Sequence, residues 1–251
     1  MLLCAQLYSV RDAAKTPEGV RETFRRIKDI GYEAVQVSGL CRIDAHELAR
    51  ISEEAALPIV CTHDPIDRII GDTDSLIEEH KIYNCDVIGL GYMPGQYHGS
   101  KANLEKFFCD IDGAAEKIIK AGLHFAYHNH AFEFDRLEDS DKVFFDLMLE
   151  RHPEWQYIVD VYWMRYAGYP VTEYIRKVGG ERLTNIHFKD MASDRSICAC
   201  GEGVTDFSEL AAVCREIGVK NVLVEQDNAV SFPDMFGQMA ISYRHLLPII
   251  K

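Results

Sequence analysis

The sequence has no surplus of positive charge and no long apolar run. Its 27 Lys and Arg residues are outnumbered by 40 Asp and Glu residues, so the formal net charge is −13. A protein that mainly binds nucleic acid needs basic residues to neutralise phosphates, and anionic membrane surfaces attract basic segments. We therefore expect neither partner. No run reaches the roughly 18 apolar residues that a membrane-spanning helix needs.

The chain also lacks the patterns of a secreted protein. Its apolar start, Leu2–Tyr8, has no basic leader and is followed at once by Arg11 and Asp12, which favours a first strand over a signal peptide. The eight cysteines show no repeated spacing, as expected for reduced thiols in a cytoplasmic protein. For the close pair Cys198 and Cys200, two free thiols are favoured over a redox or metal role.

No linker, low-complexity tract or Gly-x-Gly-x-x-Gly motif interrupts the chain. The 47% content of hydrophobic residues argues against disorder. A length of 251 residues is typical of an eight-stranded α/β barrel. We therefore predict one domain over residues 1–251, without the nucleotide-binding form of a doubly wound sheet.

Eight short apolar segments recur at fairly even intervals. Their continuous apolar character is typical of buried parallel strands. The predicted strands are Leu2–Tyr8, Ala34–Val37, Ile59–Thr62, Val87–Gly91, Leu123–His130, Tyr157–Val161, Asn185–Lys189 and Asn221–Glu225. Segments with helical periodicity lie between them, for example Thr16–Ile30 and Asp206–Ile217.

Glycine and aspartate mark the ends of the predicted helices. Gly31, Gly122 and Gly218 stand between a helix and the next strand, where a positive φ closes a helix. Aspartates occupy the positions of helix N-caps, namely Asp44, Asp74 and Asp206. Strands that alternate with helices in this way predict an α/β fold, a (β/α)8 TIM barrel, with an open doubly wound sheet as the structural alternative.

Ionisable residues collect at the C-terminal ends of the predicted strands, which form the active-site face of such a barrel. These ends carry His63, Asp64, His128, His130, Asp160, His187, Lys189, Glu225 and Asp227. Charged groups that converge without a cation would repel one another, and imidazole with carboxylate suits a divalent ion. Structural roles are the alternative: a histidine can be hydrogen-bonded in the core, Asp160 can cap a loop, and Glu225 can pair with Lys189.

These strand ends resemble the sugar phosphate isomerase/epimerase family of xylose isomerase-like TIM barrels. The resemblance covers essentially the whole chain. Its most specific motifs are Tyr127-His128-Asn129-His130-x-x-Glu133-Phe134, His187-x-Lys189-Asp190, Gly201-Glu202-Gly203 and Val224-Glu225-Gln226-Asp227. It implies one divalent metal ion (Mn, Co, Mg or Zn, with Mn favoured) held by strands five to eight. The strand-five motif is most similar to the branch that acts on keto-inositols and keto-glycosides.

When the family's ligand positions are carried over to this sequence, the resemblance implies three metal ligands and leaves the strand-five ligand undecided. The ligands of strands six, seven and eight are matched by Asp160, His187 and Glu225. Many relatives place a glutamate on strand five, where this chain has His128. Glu133 in the following loop is the alternative ligand. We favour His128, because it would share an inward face with His130 and lie beside Asp160.

The resemblance also implies removal of a proton next to a carbonyl, with an ene-diolate as intermediate. Glu225 would be ligand and base together, and Glu133 the acid on the opposite side. Lys189 would hold a hydroxyl or an oxyanion unless it pairs with Asp190. The expected substrate-binding residues are His63, His130, Trp163 and Glu202. Trp163 stands where many relatives have a histidine, so it can stack on a sugar ring but cannot carry a proton.

Several functions fit these residues. The favoured one is a metal-dependent isomerase or epimerase of a small sugar, sugar phosphate or keto-sugar. A metal-dependent lyase or dehydratase on a keto-sugar or inosose would share the enolisation and then expel a leaving group. An apurinic-site endonuclease would need three metals and more histidines, and a non-catalytic sugar-binding barrel would not need intact ligands. We expect a small-molecule carbohydrate as the partner, and a homo-oligomer is left open.

Overall fold

A computed structural model of the chain, which describes residues 1–138 and 140–251, forms a closed barrel of eight parallel strands. Numbered in chain order, the strands are β1 Leu2–Gln6, β2 Ala34–Val37, β3 Ile59–Asp64, β4 Val87–Leu90, β5 His124–His128, β6 Gln156–Asp160, β7 Asn185–Phe188, β8 Asp190–Met191, β9 Ile197–Cys198 and β10 Asn221–Val224. The short antiparallel pair β8 and β9 lies outside the barrel. The predicted (β/α)8 TIM barrel is confirmed.

The barrel closes because β1 pairs with β2 on one side and with β10 on the other. Cys4 on β1 lies opposite both Ala34 and Leu223. The order around the barrel is β1-β2-β3-β4-β5-β6-β7-β10, so the open sheet considered as an alternative is wrong. All neighbouring barrel strands are parallel, which places their C-terminal ends at one rim.

Helices surround the barrel and connect its strands. In the described part of the chain they are α1 Pro17–Ile30, α2 Ala45–Glu54, α3 Ile66–Gly71, α4 Thr73–Ile82, α5 Lys101–Lys120, α6 Phe144–Arg151, α7 Val161–Tyr166, α8 Val171–Val178, α9 Phe207–Ile217 and α10 Met235–Ile250. Short 3-10 segments follow several strand ends, among them Leu7–Ala13 after β1 and Phe132–Phe134 after β5. These segments carry the chain across the rim of the barrel.

Two of the three predicted aspartate caps are confirmed. Asp44 and Asp206 each accept two backbone N–H groups at the start of α2 and α9. The prediction for Asp74 is wrong, because α4 begins one residue earlier and the Asp74 carboxylate lies 2.7 Å from the ammonium of Lys117. The predicted positive φ angles are present at Gly31, Gly122 and Gly218.

Apolar side chains of small and medium size fill the barrel below its rim. They form two buried clusters, Cys61, Val87, Ala126 and Ile158, and Cys4, Ala34 and Leu223. Side chains on a strand alternate between its two faces, so the residue two positions later also points inward. Those residues are Gln6, Gln36, His63, Gly89, His128, Asp160 and Glu225. The alternation that builds the core therefore also brings polar side chains to the rim.

The cysteines take no part in cross-linking. All eight are free, and most of them are buried. Cys200 is buried and Cys198 is partly exposed. No helix among the described residues is both long and apolar enough to cross a membrane.

Candidate active site

Four buried side chains converge at the rim of the barrel. His128 ends β5, Asp160 ends β6, His187 lies on β7 and Glu225 follows β10. One nitrogen or oxygen atom of each lies within 4.8 Å of the corresponding atoms of the others. The structure therefore brings together the complete ligand set that was predicted with His128.

A glutamine orients the ring of His187. Nε2 of His187 lies 2.6 Å from Oε1 of Gln36, while the amide nitrogen of Gln36 donates to Sγ of Cys61 at 3.6 Å. Because the amide oxygen can only accept, Nε2 of His187 carries a proton. Nδ1 then faces the carboxylates, 2.9 Å from Oε2 of Glu225 and 3.8 Å from Oδ2 of Asp160. This is the usual arrangement of a histidine ligand whose other nitrogen is held by a hydrogen bond.

A backbone carbonyl orients His128 in the same way. Nδ1 of His128 donates to the carbonyl oxygen of Gly91 at 3.2 Å. Nε2 is buried, has no hydrogen-bond partner among the described residues, and lies 3.5 Å from Oδ2 of Asp160. Both histidines thus direct one nitrogen at the carboxylates and hold the other nitrogen elsewhere.

The two carboxylates are ionised and share the same environment. Oδ1 of Asp160 accepts the backbone N–H groups of Tyr162 and Trp163, which caps α7, and its Oδ2 is left facing the cluster. Burial by itself raises the pKa of both acids, but Lys189 and the histidines hold the pKa values of Asp160 and Glu225 well below the usual range. Two imidazole nitrogens and two carboxylate oxygens form a donor set that fits a divalent cation.

Lys189 lies fully buried against these carboxylates. Its Nζ is 2.9 Å from each of three oxygens, Oδ2 of Asp160, Oε2 of Glu225 and Oδ2 of Asp227. Burial opposes the charge of Lys189, but the three carboxylates raise its pKa well above the usual value. The alternative pairing with Asp190 is wrong, because neighbouring residues of an extended chain point to opposite sides.

Asp190 instead holds the loop that follows β9. Its carboxylate accepts backbone N–H groups from Met191, Gly201, Gly203 and Thr205. A Cβ atom on Gly203 would lie 2.4 Å from Oδ1 of Asp190, so the close contact between the loop backbone and Asp190 requires glycine at this position. Glu202 is exposed on the loop and does not line the cavity described below. The structure therefore does not bring Glu202 to the site, contrary to the predicted role in substrate binding.

A cavity of about 580 Å³ opens beside the cluster. Its polar lining includes His63, His128, His130, Trp163, Lys189, Glu225 and Asp227, and Tyr8, Arg11 and Tyr92 also contribute. Three of the predicted substrate-binding residues, His63, His130 and Trp163, therefore lie on its wall. The volume falls in the range of small-molecule sites.

Gln6 sets the tautomer of His63 on the cavity wall. The backbone N–H of Tyr8 donates to Oε1 of Gln6 at 3.1 Å, which turns the amide nitrogen of Gln6 toward Nδ1 of His63 at 3.3 Å. His63 consequently carries its proton on Nε2, which is buried with no partner among the described residues. Burial and the neighbouring His128 hold the pKa of His63 well below its usual value, so the ring is neutral.

His130 and Trp163 form another part of the wall. Their ring centroids lie 5.5 Å apart. Nδ1 of His130 and Nε1 of Trp163 are buried and unpartnered within the described part of the chain. Burial, followed by His128, lowers the pKa of His130 to about 3. An aromatic face next to unpartnered polar atoms suits the C–H face and the hydroxyls of a sugar.

Comparison with known families agrees with this architecture. The sequence profile described as xylose isomerase-like TIM barrel matches residues 24–231. The chain belongs to the xylose isomerase-like TIM barrel family. A search of curated proteins gave no significant match.

Solved structures with the same fold match nearly the whole chain of this xylose isomerase-like barrel. A sugar phosphate isomerase/epimerase from Parabacteroides distasonis has a TM-score of 0.80 and 23% identity, covering 100% of both chains. A D-allulose 3-epimerase from Methylomonas sp. has a TM-score of 0.74 and 15% identity, covering 99% of this chain and 98% of that chain. A probable 3-DHS dehydratase from Bacillus anthracis has a TM-score of 0.74 and 13% identity, covering 98% of this chain and 99% of that chain. At such identities the likeness establishes the fold, and activity is argued from the site.

Glu133 lies outside the cavity of this xylose isomerase-like barrel. Its fully buried carboxylate accepts the hydroxyl of Tyr127 at 2.7 Å and the backbone N–H of His130 at 2.8 Å. Tyr127 and His128 point to opposite faces of β5, so contact with Tyr127 keeps Glu133 on the outer side of the strand. The structure does not place Glu133 in either predicted role, as acid or as alternative metal ligand. Burial raises the pKa of Glu133 to about 8.

Gln6 and Gln36, which orient two of the site histidines, were missed by sequence analysis. Each ends or nearly ends a strand, and each lies two positions after a small buried residue, Cys4 or Ala34. A polar residue in the inward register of a buried strand is the signal that could have found them. Sequence analysis selected ionisable residues and passed over these neutral amides, although the amides determine which nitrogen of each histidine carries the proton.

Proposed function

We propose that this protein is a divalent-metal-dependent isomerase or epimerase of a small sugar, sugar phosphate or keto-sugar, acting through an ene-diolate. One observation carries the proposal. His128 and His187 are held so that one nitrogen of each faces the ionised carboxylates of Asp160 and Glu225, beside a cavity with unpartnered polar atoms. The names of the solved structures with the same fold, two of them sugar isomerases or epimerases, support the substrate class.

The four-residue cluster would hold the metal ion. Carboxylate oxygens suit Mn²⁺ and imidazole nitrogens suit Zn²⁺, so a mixed donor set is compatible with Mn, Co or Zn, and we favour Mn²⁺. When bound, such an ion would polarise a carbonyl and the neighbouring hydroxyl and stabilise the negative charge of an ene-diolate.

Glu225 is the proposed base. It both belongs to the cluster and lines the cavity. Its Oε2 faces His187 and Lys189 at 2.9 Å each, which leaves Oε1 to accept a proton from the carbon next to the carbonyl. Lys189, whose ammonium lies beside Glu225, would donate a hydrogen bond to a substrate oxygen.

The histidines, Glu133 and Trp163 are poor second bases. His63 and His130 are neutral with lowered pKa values, Glu133 lies outside the cavity, and the indole of Trp163 has no basic site. A single base can move a proton between adjacent carbons on one face of an ene-diolate. Inversion of one carbon requires proton delivery from the other face, and Asp227 on the cavity wall is a carboxylate available for that role.

A lyase is the second candidate, because donors lie beside the base. The side chains of His63 and Lys189 both line the cavity. Either could donate to a hydroxyl that leaves after enolisation. The probable dehydratase among the structures with the same fold is consistent with such a reaction on this scaffold.

Deuterium exchange tests the proposal without knowledge of the substrate. The Mn²⁺-loaded protein would be incubated in D2O with aldoses, ketoses, keto-sugars and an inosose, and the products analysed by mass spectrometry and NMR. We expect one deuterium on the carbon next to the carbonyl: in an aldose–ketose pair for an isomerase, in the epimeric sugar for an epimerase, or in a product lacking one water for a lyase. Glu225→Gln should abolish uptake, whereas Glu202→Gln, a matched change outside the cavity, should retain it. Absence of uptake across the panel, or equal uptake by Glu225→Gln, would contradict the assignment.

A further inference from the structure

The ammonium of Lys189 contacts the same oxygen atoms that the proposed metal ion would use. Oδ2 of Asp160 faces Nε2 of His128 at 3.5 Å, and Oε2 of Glu225 faces Nδ1 of His187 at 2.9 Å. Nζ of Lys189 lies 2.9 Å from both of these oxygens. A divalent cation bound by the four side chains would therefore share its two charged ligand atoms with a second positive group.

Two cations on the same pair of oxygens repel each other strongly in a buried site. The side chain of Lys189 is 1% exposed and that of Asp160 is 0% exposed, so water screens their interaction only weakly. An ammonium is also a weaker partner for a carboxylate than a divalent ion in direct coordination. The ion would thus displace Lys189 from Asp160 and Glu225.

A third carboxylate offers the displaced ammonium another partner. Oδ2 of Asp227 lies 2.9 Å from Nζ of Lys189, and the Asp227 side chain is 29% exposed and lines the cavity. Asp227 is not a member of the four-residue cluster. The Trp163 ring, with its centroid 5.4 Å from Nζ, flanks this part of the cavity wall.

We propose that Lys189 is a displaceable counter-ion, which neutralises Asp160 and Glu225 in the metal-free protein and, when a divalent ion binds, leaves these two carboxylates and keeps only its contact with Asp227. The exchange lowers the affinity for the metal, and it moves the ammonium to the cavity wall, where it can contact a substrate oxygen. Metal binding would thereby complete the substrate site. This inference rests on the proposed metal site and adds to it the residue that competes with the ion.

Mn²⁺ binding at constant pH, followed by calorimetry and by the EPR signal of free Mn²⁺, tests the proposal. Lys189→Met removes the competing charge and should tighten Mn²⁺ binding by roughly tenfold or more. Asp227→Asn removes the partner for the displaced ammonium and should weaken Mn²⁺ binding by roughly tenfold. Lys220→Met, an exposed residue directly before β10 at the opposite end of the barrel, controls for net charge and should change the affinity less than about twofold. If Lys189→Met folds poorly by circular dichroism, Lys189→Gln removes the same charge and retains hydrogen-bond donors.

The outcomes separate this inference from the proposed function. Mn²⁺ binding of equal or lower affinity in Lys189→Met than in the wild type would show that Lys189 does not compete, while the metal site itself would stand. Absence of Mn²⁺ binding in both proteins would overturn the metal site and the inference with it. A crystal structure with Mn²⁺ gives the direct view: we expect Nζ within hydrogen-bond distance of Asp227 and away from Asp160. An unmoved Nζ would overturn the exchange.

Discussion

Single side chains control the chemistry of this site through hydrogen bonds to histidine. Gln36 accepts from Nε2 of His187, and Gln6 donates to Nδ1 of His63. The two glutamines thus select opposite tautomers. His187 is left with an unprotonated nitrogen that can bind a cation, and His63 is left with an N–H donor. In the proposed function, two similar residues on neighbouring strands would assign one histidine to the metal ion and the other to the substrate.

The first prediction compares these two glutamines. Gln36→Leu removes the acceptor that holds His187 and should weaken Mn²⁺ binding by roughly 10- to 100-fold, as loss of a hydrogen bond to a ligating histidine generally does. Gln6→Leu should leave Mn²⁺ affinity unchanged and lower kcat/KM. Metal titration and steady-state kinetics on both variants provide the measurement. Equal loss of metal affinity in both variants would show that the glutamines act on the packing of the rim and not on separate histidines.

The second prediction concerns the strand-five ligand. His128→Ala should weaken Mn²⁺ binding by roughly tenfold or more, because it removes one of the nitrogens of the proposed metal site. Glu133→Gln should retain Mn²⁺ affinity, because Glu133 binds Tyr127 and the backbone of His130 outside the cavity. Elemental analysis and Mn²⁺ titration of both proteins distinguish the two residues. Loss of the metal from Glu133→Gln together with its retention by His128→Ala would reverse the assignment.

Secondary-structure elements depend on the same aspartates that shape the site. Asp160 caps α7 with one oxygen and faces the cluster with the other. Replacement of Asp160 by Ala should therefore cost about 1 kcal/mol of stability from the lost cap, in addition to the loss of a proposed metal ligand. Asp190 acts similarly on the loop after β9, where it accepts four backbone N–H groups.

The third prediction tests the role of Asp190 in stability. In the wild type the four backbone N–H groups bind both carboxylate oxygens of Asp190, whereas Asp190→Asn leaves only one oxygen that can accept them. Hydrogen bonds to a charged group contribute about 1.5–3 kcal/mol each. We expect the free energy of unfolding to fall by about 2–4 kcal/mol. Asp206→Asn is the matched control, since Asn caps a helix as well as Asp. Urea unfolding of both variants would show the difference, and equal stability would mean that the loop does not depend on the Asp190 carboxylate.

The stability of the whole molecule should depend on the ionisation of Glu133. Burial raises the pKa of Glu133 to about 8, so the folded protein keeps a proton that the unfolded chain loses at its ordinary, lower pKa. A raised folded-state pKa contributes stability that is fully present below the unfolded value and is lost as the pH rises toward about 8. The charged carboxylate is poorly tolerated there because its buried position excludes water.

The fourth prediction follows from the loss of stability that the raised pKa of Glu133 causes as the pH rises. Relative to Glu133→Gln, which cannot ionise, the wild type should lose on the order of 4 kcal/mol of unfolding free energy between pH 5 and pH 9. Urea unfolding at several pH values gives the difference between the two proteins, and the comparison cancels the titration of other groups. Parallel pH profiles for the two proteins would show that Glu133 is already ionised in the fold at neutral pH.

The sequence by itself determined the architecture and predicted four residues that meet at the rim, but it missed Gln6 and Gln36. Eight continuously apolar segments, separated by helical periodicity and glycine stops, predict a parallel barrel, because burial on both faces dictates such segments. Parallel strands place their C-terminal ends at one rim, so His128, Asp160, His187 and Glu225 could be grouped without coordinates. These are local or topological rules, and they hold wherever the strands occur.

Only the tertiary structure decided which atoms meet at that rim. Closure of the barrel brings Gln36 to His187 across 151 positions of the chain, and no local pattern contains that contact. The turn after β5 decides that Glu133 binds Tyr127 and stays outside the cavity. Burial and the spacing of three carboxylates decide that Lys189 lies among the proposed ligands. Hydrogen-bond geometry and desolvation depend on distances between remote segments, and those distances exist only once the barrel has closed.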